Sequence, residues 1–135
     1  MCIDLNCDMR DSFGAYPMGA DSDIIPYVTS VNIACGYHAG DPHVMRQTVA
    51  LAIQHQVAIG AHPGLPDLVG FGRRQWAISA QEAYDMVLNR SARCLHLFWP
   101  VARSLHPCKP HGALCQYGGQ RCGVIQSNCD RRGGF

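Results

Sequence analysis

The chain has 135 residues, of which 47% are hydrophobic and 16% are charged, and its formal net charge is +1. This length and composition predict one modest globular domain with a hydrophobic core. A charge so close to zero gives no electrostatic reason to expect nucleic acid or an anionic membrane surface as a partner. No apolar run approaches the roughly 20 residues of a membrane span. Because Asp4, Asp8 and Asp11 interrupt any signal peptide, we predict a cytoplasmic protein.

The eight cysteines are expected to be reduced, because no secretion signal accompanies them. Four of them recur every seven residues near the C-terminus, whereas zinc sites prefer cysteine pairs with about two to four residues between them. Glycines interrupt the same segment, which argues against a heptad coiled coil. We therefore interpret this spacing as chance. The four residues are Cys108, Cys115, Cys122 and Cys129.

Short apolar segments alternate with helical patterns along the chain, which predicts an α/β fold with parallel strands and right-handed crossovers. The predicted strands are Ile3–Cys7, Val31–Ala34, Val57–Ala61 and, more weakly, Leu105–Lys109. The predicted helices are Pro42–His55, Ala80 to about Arg93, and a short helix within Asp21–Val28. We expect loops at Asp8–Ala20 and His62–Gln75, and little regular structure from His111 to Phe135.

Polar side chains recur where the predicted strands end. The densest group is the segment Asn32–Pro42, with the sequence NIACGYHAGDP, which joins a strand to a helix. Because the carboxyl ends of parallel strands share one edge, we expect the polar residues to converge there as a site. The structural alternative is that these residues only cap the helix, form backbone turns or lie in solvated loops. The residues at successive strand ends are Asp8, His38 with Asp41, His62 with Asp67, and Lys109 with His111.

Five motifs in this order resemble the LamB/YcsF lactam-utilisation family. They are DLNCD at Asp4–Asp8, NIACGYHAGDP at Asn32–Pro42, GAHPGLPD at Gly60–Asp67, GFGRR at Gly70–Arg74 and KPHGAL at Lys109–Leu114. The resemblance implies a distorted, TIM-like (β/α) barrel of the glycoside hydrolase and deacetylase type. It also implies the role of the A subunit in an ATP-hydrolysing 5-oxoprolinase, which opens 5-oxoproline to L-glutamate together with subunits B and C.

The length of the chain departs from this family, because a barrel of this type needs about 250 residues. We therefore expect residues 1–114 to form the N-terminal part of a barrel in a truncated chain, and residues 115–135 to be an irregular or disordered tail. Arg10-Asp11 stands where the family has Gly-Glu, and Cys115 replaces an aromatic residue. With few strands to close a barrel, the isolated chain is expected to aggregate or stay partly unfolded, and to lack 5-oxoprolinase activity even when partner subunits are added.

The resemblance and the chemistry of a lactam together assign roles to the strand-end residues. Hydrolysis needs a base for water and a stabiliser for the oxyanion. Asp8 or Asp41 would be the base, His38 or His62 the proton shuttle, and Lys109 the oxyanion or phosphate partner. By similarity to the deacetylases, Asp8, His38 and His62 would also hold a divalent metal. The alternative for the histidines is a hydrogen-bonded role without a metal.

A second group is assigned to substrate binding. Arg73 and Arg74 would clamp the substrate carboxylate, although plain surface charge is the alternative. The remaining members are Asn6, Asn32 and His111, for which the two asparagines alternatively cap free backbone groups. No G-x-x-x-x-G-K-[ST] motif is present, so ATP is expected on partner subunits. Two other functions stay open: a metal-dependent deacetylase or carbohydrate hydrolase, and a non-catalytic fragment.

Overall fold

A computed structural model describes residues 3–9, 21–98 and 108–119. Three parallel strands form its sheet in the order β1-β2-β3: β1 at Asn6–Met9, β2 at Ser30–Ala34 and β3 at Ala58–His62. The predicted α/β class with parallel strands is confirmed. The register pairs Asp8 with Asn32, and Ala34 with His62. The carboxyl ends of the three strands therefore share one edge, while closure into a barrel stays a prediction.

The first strand begins later than its alternating pattern predicted. Ile3 is exposed, and the backbone N–H of Leu5 donates to Thr29 Oγ1 at 2.7 Å instead of joining the ladder. The Asp4 carboxylate accepts hydrogen bonds from the hydroxyls of Thr29 and Ser30. The Leu5 carbonyl oxygen still accepts the N–H groups of Thr29 and Ser30, but the Leu5 N–H bonds to a side chain, so the regular strand begins only at Asn6. The predicted strand Ile3–Cys7 is wrong by three residues at its start.

The described residues contain four α-helices: α1 at Asp21–Ile24, α2 at Pro42–Gln54, α3 at Ala80–Phe98 and α4 at Gly112–Gly119. A 3₁₀ turn, Ile25–Tyr27, follows α1 at the predicted break around Pro26. The predicted start of α2 is confirmed, because Asp41 accepts hydrogen bonds from the N–H groups of His43 and Val44. The capping box of α3 is also confirmed, with Ser79 and Glu82 bonding reciprocally.

The segment after His111 contradicts the expectation of little regular structure, because Gly112–Gly119 form α4. Ala113 and Leu114 are buried there against Leu65 and against the Ala83 face of α3. Packing against α3 therefore stabilises a helix whose glycines and cysteine give a poor helix signal. Residues 105–107 and 120–135 lie outside the described residues. The predicted division of the chain at residue 114 stays a prediction.

A fourth segment continues the sheet beside β3 without being a regular strand. The N–H groups of Lys109 and His111 donate to the carbonyl oxygens of Ala61 and Pro63, at 3.0 and 2.8 Å. Donors and acceptors at every second residue are the pattern of a parallel ladder. In such a ladder residue 63 would donate its N–H to the Lys109 carbonyl oxygen, but Pro63 has no N–H. The Lys109 carbonyl oxygen instead lies 2.6 Å from His62 Nδ1, within hydrogen-bond distance. Lys109 therefore reaches the same edge as the three strands.

The main core lies between the sheet and the helices α2 and α3. Its fully or nearly fully buried members include Val31, Ile33, Met45, Val49, Ala52, Ile59 and Cys94. This packing fixes β2 as the central, buried strand, and so fixes the direction in which its carboxyl end points. Among the described residues, no helix combines the length and the apolar character that crossing a bilayer requires.

Candidate active site

The paired strands β1 and β2 bring together the polar side chains of Asn6, Asp8 and Asn32. Asn32 Nδ2 donates to Asp8 Oδ1 at 2.8 Å and to Asn6 Oδ1 at 2.5 Å. Asn32 is buried and its backbone is held in the central strand. The amide therefore sets the orientation of the Asp8 carboxylate, and the substrate-binding role of the two asparagines stays a prediction.

Asp8 forms an ion pair with Lys109 from the segment beside β3. Lys109 Nζ lies 3.0 and 2.9 Å from the two carboxylate oxygens, and the side chains of Lys109 and Asp8 remain 54% and 35% exposed. Burial raises the pKa of Asp8, but hydrogen bonds from Asn32 and Lys109 outweigh it, so the pKa lies below its usual value. At neutral pH this pair is a carboxylate and an ammonium group that solvent can reach.

Three imidazole rings lie beneath that pair, and His38, His62 and His111 are here called the histidine cluster. The three histidines are 0%, 2% and 8% exposed, respectively. One ring nitrogen of each histidine lies within 4.8 Å of a ring nitrogen of the other two. The rings of His38 and His111 stack at 4.0 Å between centroids, while His62 lies edge-on to both. His62 Nε2 is 3.6 Å from Asp8 Oδ2, which connects the cluster to the ion pair.

Hydrogen bonds hold two members of the cluster firmly. His62 Nδ1 lies 2.6 Å from the Lys109 carbonyl oxygen, and His111 Nε2 lies 2.8 Å from the Phe71 carbonyl oxygen. The remaining nitrogens of these rings, His62 Nε2 and His111 Nδ1, face each other at 2.9 Å. Burial lowers the pKa of His62, so the ring favours its neutral form.

His38 is enclosed by glycine backbone and by neighbouring aromatic rings, without a hydrogen-bond partner among the described residues. A Cβ on Gly64 would overlap its ring, and a Cβ on Gly72 would lie 2.8 Å from the His38 Cβ. Among the described residues, neither ring nitrogen of His38 has a hydrogen-bond partner. Burial, together with the neighbouring His111 and His62, lowers the pKa of His38 to about 3. The motif glycines therefore make room for a neutral imidazole with two unsatisfied nitrogens.

Asp41 and the two loop arginines make contacts of a different kind. Asp41 accepts the N-terminal N–H groups of α2, as its capping role requires. Arg74 Nε binds both carboxylate oxygens of Asp67 at 3.0 Å, so its guanidinium is directed into the loop. Arg73 is exposed, with its guanidinium 5.3 Å from the centre of the Phe71 ring. The catalytic role of Asp41 and the substrate clamp of Arg73 and Arg74 stay predictions.

Arg90, a residue of α3, supports the site from the side of the helix. It is buried, donates to the Gly64 carbonyl oxygen and lies 4.0 Å over the Tyr37 ring. It thereby ties α3 to the loop that packs on His38. Helical spacing could have indicated that Arg90 is buried, because it lies three and four residues from apolar residues on the same helix face. The residues of this buried face are Ala83, Val87, Arg90 and Cys94.

Comparison with known proteins places the chain in a family. The LamB/YcsF family model matches residues 3–122, which include every residue of the site described above. The chain is 59% identical over 112 residues to the A subunit of 5-oxoprolinase from a strain of Bacillus cereus, covering 83% of this chain and 44% of the relative. It is 60% identical over 112 residues to that of Tolumonas auensis, covering 83% and 45%.

A solved structure agrees with this assignment. The lactam utilization protein from Thermus thermophilus superposes with a TM-score of 0.87 at 41% sequence identity, covering 97% of this chain and 54% of that one. The chain thus spans about half the length of the relatives that it matches. Family match, sequence identity and fold lead to one conclusion: the chain belongs to the LamB/YcsF family.

Proposed function

We propose that this chain acts as the A subunit of an ATP-hydrolysing 5-oxoprolinase, a hydrolase that cleaves a cyclic amide. The observation that carries the proposal is the family match over residues 3–122, together with 59% identity to a protein named as the A subunit of 5-oxoprolinase. The expected fold is the N-terminal part of a (β/α) barrel. Subunits B and C are the proposed partners, and 5-oxoproline is the proposed substrate.

The proposed reaction opens the lactam ring. Water adds its oxygen to the carbonyl carbon, the ring C–N bond breaks, and the nitrogen takes a proton to become the amine of L-glutamate. ATP is hydrolysed to ADP and phosphate in the same cycle. Since a lactam carbonyl is a poor electrophile, the site must stabilise the oxyanion and accept a proton from water.

Asp8 and Lys109 suit these two tasks. The ammonium group of Lys109 is accessible and would stabilise negative charge on the carbonyl oxygen. The Asp8 carboxylate is ionised and would accept the proton, although its lowered pKa makes it a weaker base than an ordinary aspartate. Asn32 keeps the carboxylate in register with the lysine. Arg73 is exposed and would bind the substrate carboxylate, whereas Arg74 already binds Asp67.

ATP is proposed to bind on a partner subunit. The GFGRR segment combines a glycine turn with cations, but it is too weak a pattern for a nucleotide-binding loop. Arg74 of that segment binds Asp67, and the Gly70 N–H also donates to Asp67 Oδ1 at 2.9 Å. These contacts leave the turn closed around its own carboxylate. A nucleotide site elsewhere in the assembly is therefore favoured.

The test is an assay of ATP-dependent glutamate release from 5-oxoproline. The 135-residue chain is mixed with the proposed partner subunits B and C, and the complete Bacillus cereus relative replaces it in a positive control. Glutamate release that requires this chain supports the proposal and contradicts the expectation that the truncated chain is inactive. A folded chain that binds the partners and releases no glutamate contradicts it and favours the non-catalytic fragment. Release of acetate from acetylated sugars would instead favour a deacetylase.

A further inference from the structure

We propose that the histidine cluster binds a divalent transition-metal ion through His38, His62 and His111. Three imidazole nitrogens are the ligands that Zn²⁺ accepts in sites with an open fourth position. Harder ions such as Mg²⁺ prefer oxygen ligands and are not expected here. The proposal concerns binding, and it does not depend on the 5-oxoproline reaction.

The first argument is the position of hydrogen atoms on two rings. A carbonyl oxygen can only accept, so His62 Nδ1 and His111 Nε2 must carry the hydrogens that bond to Lys109 and Phe71. In the neutral rings, His62 Nε2 and His111 Nδ1 then carry lone pairs. These two atoms face each other at 2.9 Å. Two acceptors at that distance need a cation between or beside them, either a proton or a metal ion.

The second argument is the third ring. His38 is fully buried, and within the described part of the chain both of its nitrogens lack a hydrogen-bond partner. A buried unsatisfied polar group is costly, so it calls for a ligand that the protein alone does not supply. A single proton shared between His62 and His111 leaves His38 unsatisfied. A metal ion bound to all three rings satisfies one nitrogen of each ring together.

The surroundings resemble those of ligating histidines. Such residues characteristically donate their other N–H to a carbonyl or carboxylate, which fixes the ring and its tautomer. Two cluster members already do this through the carbonyl oxygens of Lys109 and Phe71. The stacked rings of His38 and His111 are nearly parallel, with an interplanar angle of 8°. Metal binding therefore requires one of these rings to turn.

This set differs from the metal set that the sequence predicted. The predicted ligands were Asp8, His38 and His62, by similarity to deacetylases. In the structure both Asp8 oxygens lie at 3.0 Å or less from Lys109 Nζ, and Asn32 also donates to one of them. The carboxylate is therefore satisfied, whereas the unsatisfied nitrogen atoms belong to histidines. His111 takes the place that Asp8 was given, and Asp8 keeps the role of proton acceptor.

The experiment refolds the full 135-residue chain in parallel with and without one equivalent of Zn²⁺. Folding is followed by far-UV circular dichroism, and zinc affinity is measured by competition with a chromophoric chelator. Zinc K-edge X-ray absorption then identifies the ligands, since nitrogen lies at about 2.0–2.1 Å and cysteine sulfur at about 2.3 Å. One bound zinc per chain with a nitrogen shell is expected.

Matched variants locate the site. His62→Gln and His111→Gln should each weaken zinc binding by at least about 100-fold, the upper end of what loss of an outer partner costs. His55→Gln, at the exposed end of α2, is the control and should bind like the parent chain. A sulfur shell, or a folded chain without bound zinc, would overturn the proposal, and the latter result would leave a shared proton. Failure to fold even with zinc would also count against it.

Discussion

Two ion pairs in this molecule use similar chemistry for different purposes. The Asp8–Lys109 pair joins residues 101 positions apart, and its side chains are 35% and 54% exposed. The Asp67–Arg74 pair joins residues seven positions apart, and its carboxylate is fully buried while the arginine is 62% exposed. The buried carboxylate also accepts the Gly70 N–H, so it organises a loop. Accessibility of the carboxylate thus separates a pair that can meet a substrate from one that holds the backbone.

The largest effect should follow from breaking the exposed pair. Turnover is measured throughout in a complete relative that keeps the residue concerned. There, the substitutions that match Asp8→Asn and Lys109→Met should each lower the turnover of 5-oxoproline by about 10²–10⁴-fold, because each removes a proton acceptor or a charge stabiliser. The melting temperature should change little, since an exposed pair contributes about 0–1 kcal/mol to folding. Steady-state kinetics with partner subunits and thermal unfolding measure both. Unchanged turnover in the two variants would remove the pair from the mechanism.

Breaking the buried pair should give the opposite result. Asp67→Asn removes the charge that Arg74 binds at 3.0 Å, so the loop between β3 and α3 should loosen and the melting temperature should fall. The folded variant should keep most of its turnover, because the contacts of Asp67 lie within its own loop. Thermal unfolding and kinetics at low temperature check this. Loss of turnover at an unchanged melting temperature would invalidate the comparison.

Acid should reveal the same difference as a pH dependence. Arg74 lowers the pKa of Asp67 from 3.8 to about 2 in the folded state. The unfolded chain therefore takes up a proton first as the pH falls, so the stabilisation is complete above about pH 4 and is lost toward pH 2. The difference in stability between the parent chain and Asp67→Asn should shrink over this range. Denaturant titrations at several pH values measure it, and a constant difference would contradict the assigned pKa.

The smallest effect is expected at Arg73. Arg73→Gln should raise the KM for 5-oxoproline about tenfold with little change in kcat, as loss of one charge-assisted hydrogen bond to the substrate predicts. Its exposed side chain should contribute less than about 0.5 kcal/mol to stability. Arg46→Gln, on the exposed face of α2, is the matched control. Equal KM values for the two variants would show that Arg73 does not bind the substrate and is a surface charge only.

Local signals predicted much of this structure. Asp41 followed by Pro42 marked the start of α2, and the alternation of strands and helices predicted the parallel sheet. The convergence of Asp8, His62 and Lys109 at one edge followed from that topology alone. These features depend on residues that are close in sequence, or on the general handedness of crossovers between parallel strands. Both can be read from a single sequence.

Features that depend on tertiary contacts were missed. The buried position of Arg90 was not predicted, because charged residues are rarely buried and its partners, Gly64 and Tyr37, are distant in sequence. The helix α4 was missed because packing against α3 and the loop after β3 outweighs its weak intrinsic propensity. His111 was placed at the correct edge, but its contact with His62 could not be read from spacing.

Pro63 has a consequence for communication within the molecule. Because it cannot donate to Lys109, the Lys109 carbonyl oxygen binds His62, while the Lys109 side chain binds Asp8. One residue therefore belongs to both the buried cluster and the exposed pair. If binding at one site moves Lys109, it changes the affinity of the other site for its own ligand. Because such coupling is reciprocal, each of the two ligands then changes the affinity of the other by the same factor. A missing backbone hydrogen thus makes two neighbouring sites thermodynamically linked.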